Sequence, residues 1–223
     1  MKYLSIDIET SGLDSENNQI LSIGAIVEDT ENRLPFDEIP KFHACILADQ
    51  LTGSPFALNM NRDLIESMVQ YQTAKDQDEK NDLVHMTGMQ FLQRDNVVEE
   101  FYDFLFENGF VQFNTDIGHT VKVKKGKTYP IMTSKMKPVS INVAGKNFGT
   151  FDKLFLERLP RWKQAIRIRQ RIIDPSILFT DWKNDMAMPS LDTCKQRARL
   201  DGVVTHNAIE DAWDVIQLLR TQY

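Results

Sequence analysis

The chain has 223 residues, 42% of them apolar, and carries 26 Lys and Arg against 32 Asp and Glu, a formal net charge of −6 that by itself argues against a nucleic-acid ligand. An apolar share of that size supports one sizeable core, so a single domain over 1–223 carrying insertions is the expectation. No run of about 18 apolar residues occurs and the start MKYLSIDIETSG lacks the order of a signal peptide, which predicts a soluble cytoplasmic protein without a membrane partner; Cys45 and Cys194 lack the number and spacing of a disulfide framework or a metal site.

In chain order, Tyr3 to Ile8 alternates with period two, and Ile20 to Val27 is a β-rich run after the turn-forming Ser15-Glu16-Asn17-Asn18. Together they predict an N-terminal hairpin, with Lys41 to Leu47 as a third strand. Asn61 to Val84, with spaced Leu64, Ile65, Met68 and Val69, predicts a surface helix running into a charged connection over Lys75 to Asp82. Val97 to Asn108 has apolar residues at helical spacing and a stop at Asn108-Gly109. A basic hairpin is expected from Val121 to Met132 around Lys124-Lys125-Gly126-Lys127, then a buried strand over Val139 to Ala144, a helix over Phe151 to Leu159 stopped by Pro160, and a strand at Arg171 to Asp174. Ser190 to Leu200 and Asn207 to Arg220 read as the last two helices. Strands followed by alternating helices and strands define an α/β fold, a mixed central sheet flanked by helices. The segments 47–95 and 110–138 are read as insertions, the first as a lid or an insertion.

The charge is divided. Between Lys122 and Arg171 stand fourteen basic residues and two acidic ones, Asp152 and Glu157. A strongly basic stretch inside an acidic protein is a directed field, and directed positive fields meet phosphates; a solvated lysine-rich face is the alternative.

Asp7 and Glu9 stand two apart on the first strand, so their side chains leave one face. Two carboxylates on one face repel unless a cation lies between them, and a hard, oxygen-binding divalent ion such as Mg2+ is the economical reading. The pair alone is a weak signal, but it sits at a sheet rim before the tight exit loop Thr10-Ser11-Gly12-Leu13. Asp152 starts a helix, a place the helix dipole favours for any acid. Asn207 suits an N-cap with Glu210 three residues on, which puts His206 just outside the last helix and Asp211 in its first turn.

Asp7-x-Glu9 with Thr10-Ser11-Gly12-Leu13, then Asn147-Phe148-Gly149-Thr150-Phe151-Asp152, then His206-x-Ala208-x-x-Asp211 resemble, in order, the three motifs of the DEDDh branch of the DEDD 3′-to-5′ exonucleases. Proofreading exonucleases, ribonuclease T and oligoribonuclease belong to that branch. The second motif departs from the proofreading pattern: Lys146 stands where a His is usual, and one extra residue separates Asn147 from Phe151. The resemblance implies a ribonuclease H-like sheet and release of nucleoside 5′-monophosphates from a free 3′ end of nucleic acid, single-stranded, with DNA favoured. It implies two Mg2+ ions, replaceable by Mn2+, held by Asp7, Glu9, Asp152 and Asp211, with His206 as general base near neutral pH.

By the same resemblance Thr10 and Leu13 hold the terminal nucleotide, and Asn147, Phe148 and Phe151 are candidate substrate contacts. Either phenylalanine can stack on a base, and core packing is the equal alternative. The basic stretch, with hairpin residues Lys122, Lys124, Lys125 and Lys127 and the series from Arg158 to Arg171, then tracks phosphates. A ribonuclease T-like or oligoribonuclease-like activity on RNA is the alternative within the family, and relatives leave a homodimer or a polymerase or replication partner open. From other classes come an inactive nucleic-acid-binding module and a D-x-D-x-T phosphatase of the haloacid-dehalogenase type. The latter wants a second Asp at Glu9 and leaves His206 and Asp211 unused.

Overall fold

The computed structural model describes residues 1–111, 121–131, 138–202 and 204–223. Its centre is a five-stranded mixed sheet in which the strands over residues 90–93, 41–47, 20–29, 2–10 and 143–144 lie side by side in that order. β1 (Lys2–Thr10), β2 (Ile20–Asp29) and β3 (Lys41–Leu47) form an antiparallel meander, while β8 (Val143–Ala144) runs parallel to β1 and β4 (Gln90–Gln93) parallel to β3. Alternation along β1 sorts its side chains. Leu4, Ile6 and Ile8 join Phe42, Ala44 and Ile46 under Val97, Val98, Phe101 and Leu105 of α4 (Val97–Glu107), whereas Tyr3 faces Ile209, Ala212, Val215 and Ile216 of α8 (Ala208–Arg220). Helices therefore cover both faces. No helix among the described residues is long and apolar enough to cross a membrane.

The expected N-terminal hairpin, third strand, basic hairpin and last two helices are present. The single helix expected over 61–84 is instead part of a set of three: α1 (Pro55–Met60), α2 (Arg62–Thr73) and α3 (Gln77–Thr87). The charged stretch from Lys75 to Asp82 is no connection, because the Asp76 side chain accepts the Asp78 and Glu79 amides at 3.0 Å and starts α3, which Gly88 ends at φ 66°. These helices close over Leu21, Cys45 and Leu47 through Met68 and Leu83.

The hairpin of β5 (Val121–Lys124) and β6 (Lys127–Pro130) turns on Lys125 and Gly126, both at positive φ, the backbone that two-residue hairpins favour; Met132 lies outside the described residues. The strand expected over 139–144 is divided into β7 (Val139–Ile141) and β8, with Asn142 between them accepting the Leu4 amide. The helix expected over 151–159 is shorter, α5 (Asp152–Leu156), and α6 (Trp162–Ala165) follows it. The strand expected at 171–174 reduces to one bridge, Ala144 with Ile173, and regular pairing sits earlier, where β9 (Ile166–Ile168) runs parallel to β7. α7 (Leu191–Ala198) is capped by Ser190 and precedes α8.

Candidate active site

Asp7 and Glu9 leave β1 on the α8 side, and Asp211 projects from the first turn of α8 toward them. Ligand oxygens of the three lie within 4.8 Å of one another. What brings α8 so close is Gly24 on the neighbouring strand: a Cβ there would stand 2.3 Å from the Ala208 carbonyl carbon. Asp152 arrives from the other side, at the start of α5, where its Oδ1 accepts the Ile8 amide at 3.1 Å. The four acids predicted from sequence are thus gathered at one end of β1.

Their ionisation is strained. Burial, then the charges of Asp152, Asp211 and Glu9, raise the Asp7 carboxyl well above its ordinary range. Burial and the Asp211 charge push Glu9 up to about 8, against a hydrogen bond with the Asn61 side chain that lowers it. Burial carries Asp152 to about 7 in spite of the Ile8 amide, and burial together with Asp214 carries Asp211 to about 7 in spite of Lys195. Asp211 Oδ1 is buried with no hydrogen-bond partner among the described residues. A cluster of oxygen donors that desolvates its own charges and leaves a lone pair unmatched fits a hard divalent cation.

His206 stands just before α8 at φ 53°, exposed, a backbone conformation uncommon outside glycine. Asn207 caps α8 by accepting the Ile209 amide at 3.2 Å, as expected. The expected Glu210 half of a capping box is absent, since that carboxylate accepts the Thr205 hydroxyl at 2.6 Å. His206, Glu9, Ser67 and His43 line one cavity of about 260 Å³. Burial lowers His43 to about 4, so its imidazole is neutral at physiological pH.

The expected substrate contacts divide. Leu13 is 85% exposed on the loop after β1, while the Thr10 hydroxyl turns inward and donates to the Gly12 carbonyl at 2.7 Å. Asn147 is exposed at φ 57°, its amide donating to Asp174. Phe148 is fully buried in the core and offers no ring face to a base; Phe151 is half-buried against Phe155. The hairpin lysines point at the acidic side of α4: Lys122 pairs with Glu99 and Asp103, Lys124 with Glu100 and Asp103, and Lys127 with Glu107. Much of the hairpin's positive charge is therefore neutralised within the fold, contrary to the phosphate-tracking expectation, and Lys125 occupies the turn.

Two residues with no mark in the sequence support the cluster. Asn61, buried between α1 and α2, reaches Glu9 and also donates to the Thr10 carbonyl at 3.4 Å. Lys195 of α7 is buried and pairs with Asp214, one turn beyond Asp211, at 2.5 Å. Their partners are distant in sequence, and no spacing announces them.

The fold is thus a mixed α/β sheet flanked by helices, with carboxylates gathered at the end of its first strand. No protein-family model matches the chain, and no curated protein matches it in sequence. Among solved structures, Escherichia coli Exonuclease I in complex with a dT13 oligonucleotide superposes with TM-score 0.53 and 13% identity over 99% of this chain and 40% of that one. Exonuclease I from Methylocaldum szegediense gives TM-score 0.55 at 12% identity, again over 99% and 40%. Cell-death related nuclease 4 (CRN-4) gives 0.53 at 12%, over 99% and 63%. The chain thus spans 40% to 63% of the length of these neighbours, and at such identity the likeness is one of fold.

Proposed function

We propose that the chain is a 3′-to-5′ exonuclease that hydrolyses single-stranded nucleic acid, DNA before RNA, from a free 3′ end and releases nucleoside 5′-monophosphates. The observation that carries this reading is the meeting of the half-buried Asp7 and the buried Glu9 and Asp211 carboxylates within 4.8 Å, with no ion pair among the described residues, and with Asp152 beside Ile8. Asp7, Glu9 and Asp211 would hold one Mg2+ and Asp7 with Asp152 a second, Mn2+ being an alternative, and ions so held supply an activated water and stabilise the leaving 3′ oxygen. His206, at the mouth of the cavity that Glu9 also lines, takes the proton of the attacking water. Leu13 wedges against the terminal base, the backbone at Thr10 orients the 3′ hydroxyl, and Asn147 meets the strand where it enters. Asn61 and Lys195 act through Glu9 and Asp211 as positioning residues. Exonuclease I, whose fold this chain shares, has been solved with dT13 and dA16 oligonucleotides, which favours a single-stranded ligand here.

The test is release of labelled nucleoside monophosphate from a 3′-labelled strand, DNA and RNA in parallel, with Mg2+ and with EDTA. Wild type releases label only with the metal, faster from DNA, and Asp7→Asn releases none. Full release by Asp7→Asn would sink the assignment, and faster release from RNA would overturn the DNA preference.

A further inference from the structure

The ion pairs of the basic stretch separate its charges into two groups. Besides the hairpin lysines on α4, Lys153 and Lys163 pair with Glu157, and Arg158 pairs with Glu16. Arg167, Arg169 and Arg171, like Lys125 in the hairpin turn and Lys146, have no ion pair among the described residues, but the three arginines are all exposed and stand together. Arg167 lies in β9, and the other two lie on the irregular chain, bent at Gln170, that follows it to the Ile173 bridge. Together they line an open cleft of about 520 Å³, with Ser140 and Asn142 as its polar floor.

Register fixes which face of the sheet this is. Arg167 pairs with Ser140, and alternation puts Ser140 and Asn142 on the side of Ala144, which packs with the α8 cluster. Ala144 in turn pairs with Ser5 on β1, two residues before Asp7 and four before Glu9. Arg167 and the carboxylates therefore share one face, and Arg169 and Arg171 line the same cleft as Arg167. The segment runs parallel to β1, so its end approaches the same end of the sheet. There Asp174 accepts the Asn147 amide at 2.9 Å, tying the row to the loop that delivers Asp152. Guanidinium groups in such a row present bidentate donors to phosphate oxygens.

We propose that Arg167, Arg169 and Arg171 form a phosphate track that holds the strand on the 5′ side of the terminal nucleotide, while the hairpin lysines serve the fold. This rests on the nuclease reading for the direction of the strand. Charge on an exposed strand edge also blocks edge-to-edge association, and that role needs no nucleic acid.

Affinity for a fluorescent 12-nucleotide single strand is measured by anisotropy in EDTA, where the metal-dependent reaction is off, from 50 to 200 mM salt. Wild type is compared with R167Q/R169Q/R171Q and with K122Q/K124Q, with thermal unfolding as a check on folding. Loss of three phosphate contacts reduces the log–log salt slope by about 2, so wild type loses about twentyfold more affinity than the arginine variant over that range. The lysine variant keeps the wild-type slope, and a trinucleotide, too short to span the row, shows a smaller difference between wild type and the arginine variant. Equal slopes for wild type and the arginine variant, or self-association of the variant without a change in slope, would overturn the track. Nucleotide release by wild type is scored separately: if it fails while the slopes differ, the nuclease reading falls and the phosphate surface stands.

Discussion

Asp211→Asn separates a catalytic cluster from an ordinary buried acid. In the metal-free protein the Asp211 carboxyl titrates near 7, raised first by burial, against an ordinary value of 3.8. Below about pH 4 both folded and unfolded chains hold the proton and the group has no effect on stability. Between about 4 and 7 the unfolded chain has released it while the folded chain retains it, so stability falls as pH rises, and above about 7 the penalty is complete. A difference of roughly three pKa units corresponds to about 4 kcal/mol, and on the order of 3 kcal/mol after allowance for the shared field of the neighbouring carboxylates. Asparagine keeps the shape and removes the charge. In EDTA at pH 8 the variant is therefore more stable than wild type, with Tm higher by about 6–12 °C for a chain of this size, and at pH 4 the two nearly coincide. Mg2+ narrows the gap, since saturation at about a hundred times Kd adds roughly 2.7 kcal/mol to wild type and less to the variant, and at about a thousand times Kd the roughly 4.1 kcal/mol gained by wild type reverses the order when the variant gains less than about 1 kcal/mol. Thermal unfolding followed by circular dichroism at the two pH values, with and without Mg2+, gives all four comparisons. A variant less stable than wild type in EDTA at pH 8, or a gain independent of pH, would refute the view that Asp211 is held in a strained, cation-seeking site.

The same shifts imply that metal binding near pH 7 displaces protons from the cluster, with Glu9 near 8 and Asp152 and Asp211 near 7. Calorimetry in buffers of different ionisation enthalpy should show net proton release, and affinity should weaken as pH falls from 8 to 6; binding indifferent to pH would contradict this. Gly24→Ala drives a methyl into the Ala208 backbone and displaces the start of α8, so urea unfolding should show a loss of about 2 kcal/mol or more, together with loss of activity. A fully stable, active G24A protein would show that the close approach is dispensable. Lys195→Met leaves Asp214 buried without its partner and costs about 3–5 kcal/mol, and adding Asp214→Leu recovers much of it. Unfolding free energies of the two variants decide the matter, and a double variant as unstable as the single one would contradict it.

The parts legible in the sequence were those fixed by local period. Asp7 and Glu9 announce a shared face because strand alternation is strict, and the apolar spacing of Val97 to Leu105 and of Ile209 to Leu219 marks helices that each bury one side. β4 and α1 escaped because four and six residues are too few for a period to emerge. The charged stretch after Lys75 escaped because the Asp76 cap, rather than apolar spacing, starts that helix. Charge was the most misleading signal. The hairpin lysines form a block along the chain, yet α4, some twenty residues earlier, supplies their counter-charges, whereas the arginines at 167, 169 and 171 keep theirs exposed. Phe148 carries a similar lesson, since the residue just before Gly149-Thr150 can stack on a base or join the core on sequence alone, and it is held in the core.

Whether the chain is a 3′-to-5′ exonuclease is decided by following a 5′-labelled single strand with Mg2+ over time and identifying the released products by mass spectrometry. The expected result is a ladder that shortens one nucleotide at a time from the 3′ end, nucleoside 5′-monophosphates as the product, and no shortening in EDTA or with Asp7→Asn. Internal cuts, products bearing 3′-phosphates, or undiminished cleavage in EDTA would contradict it.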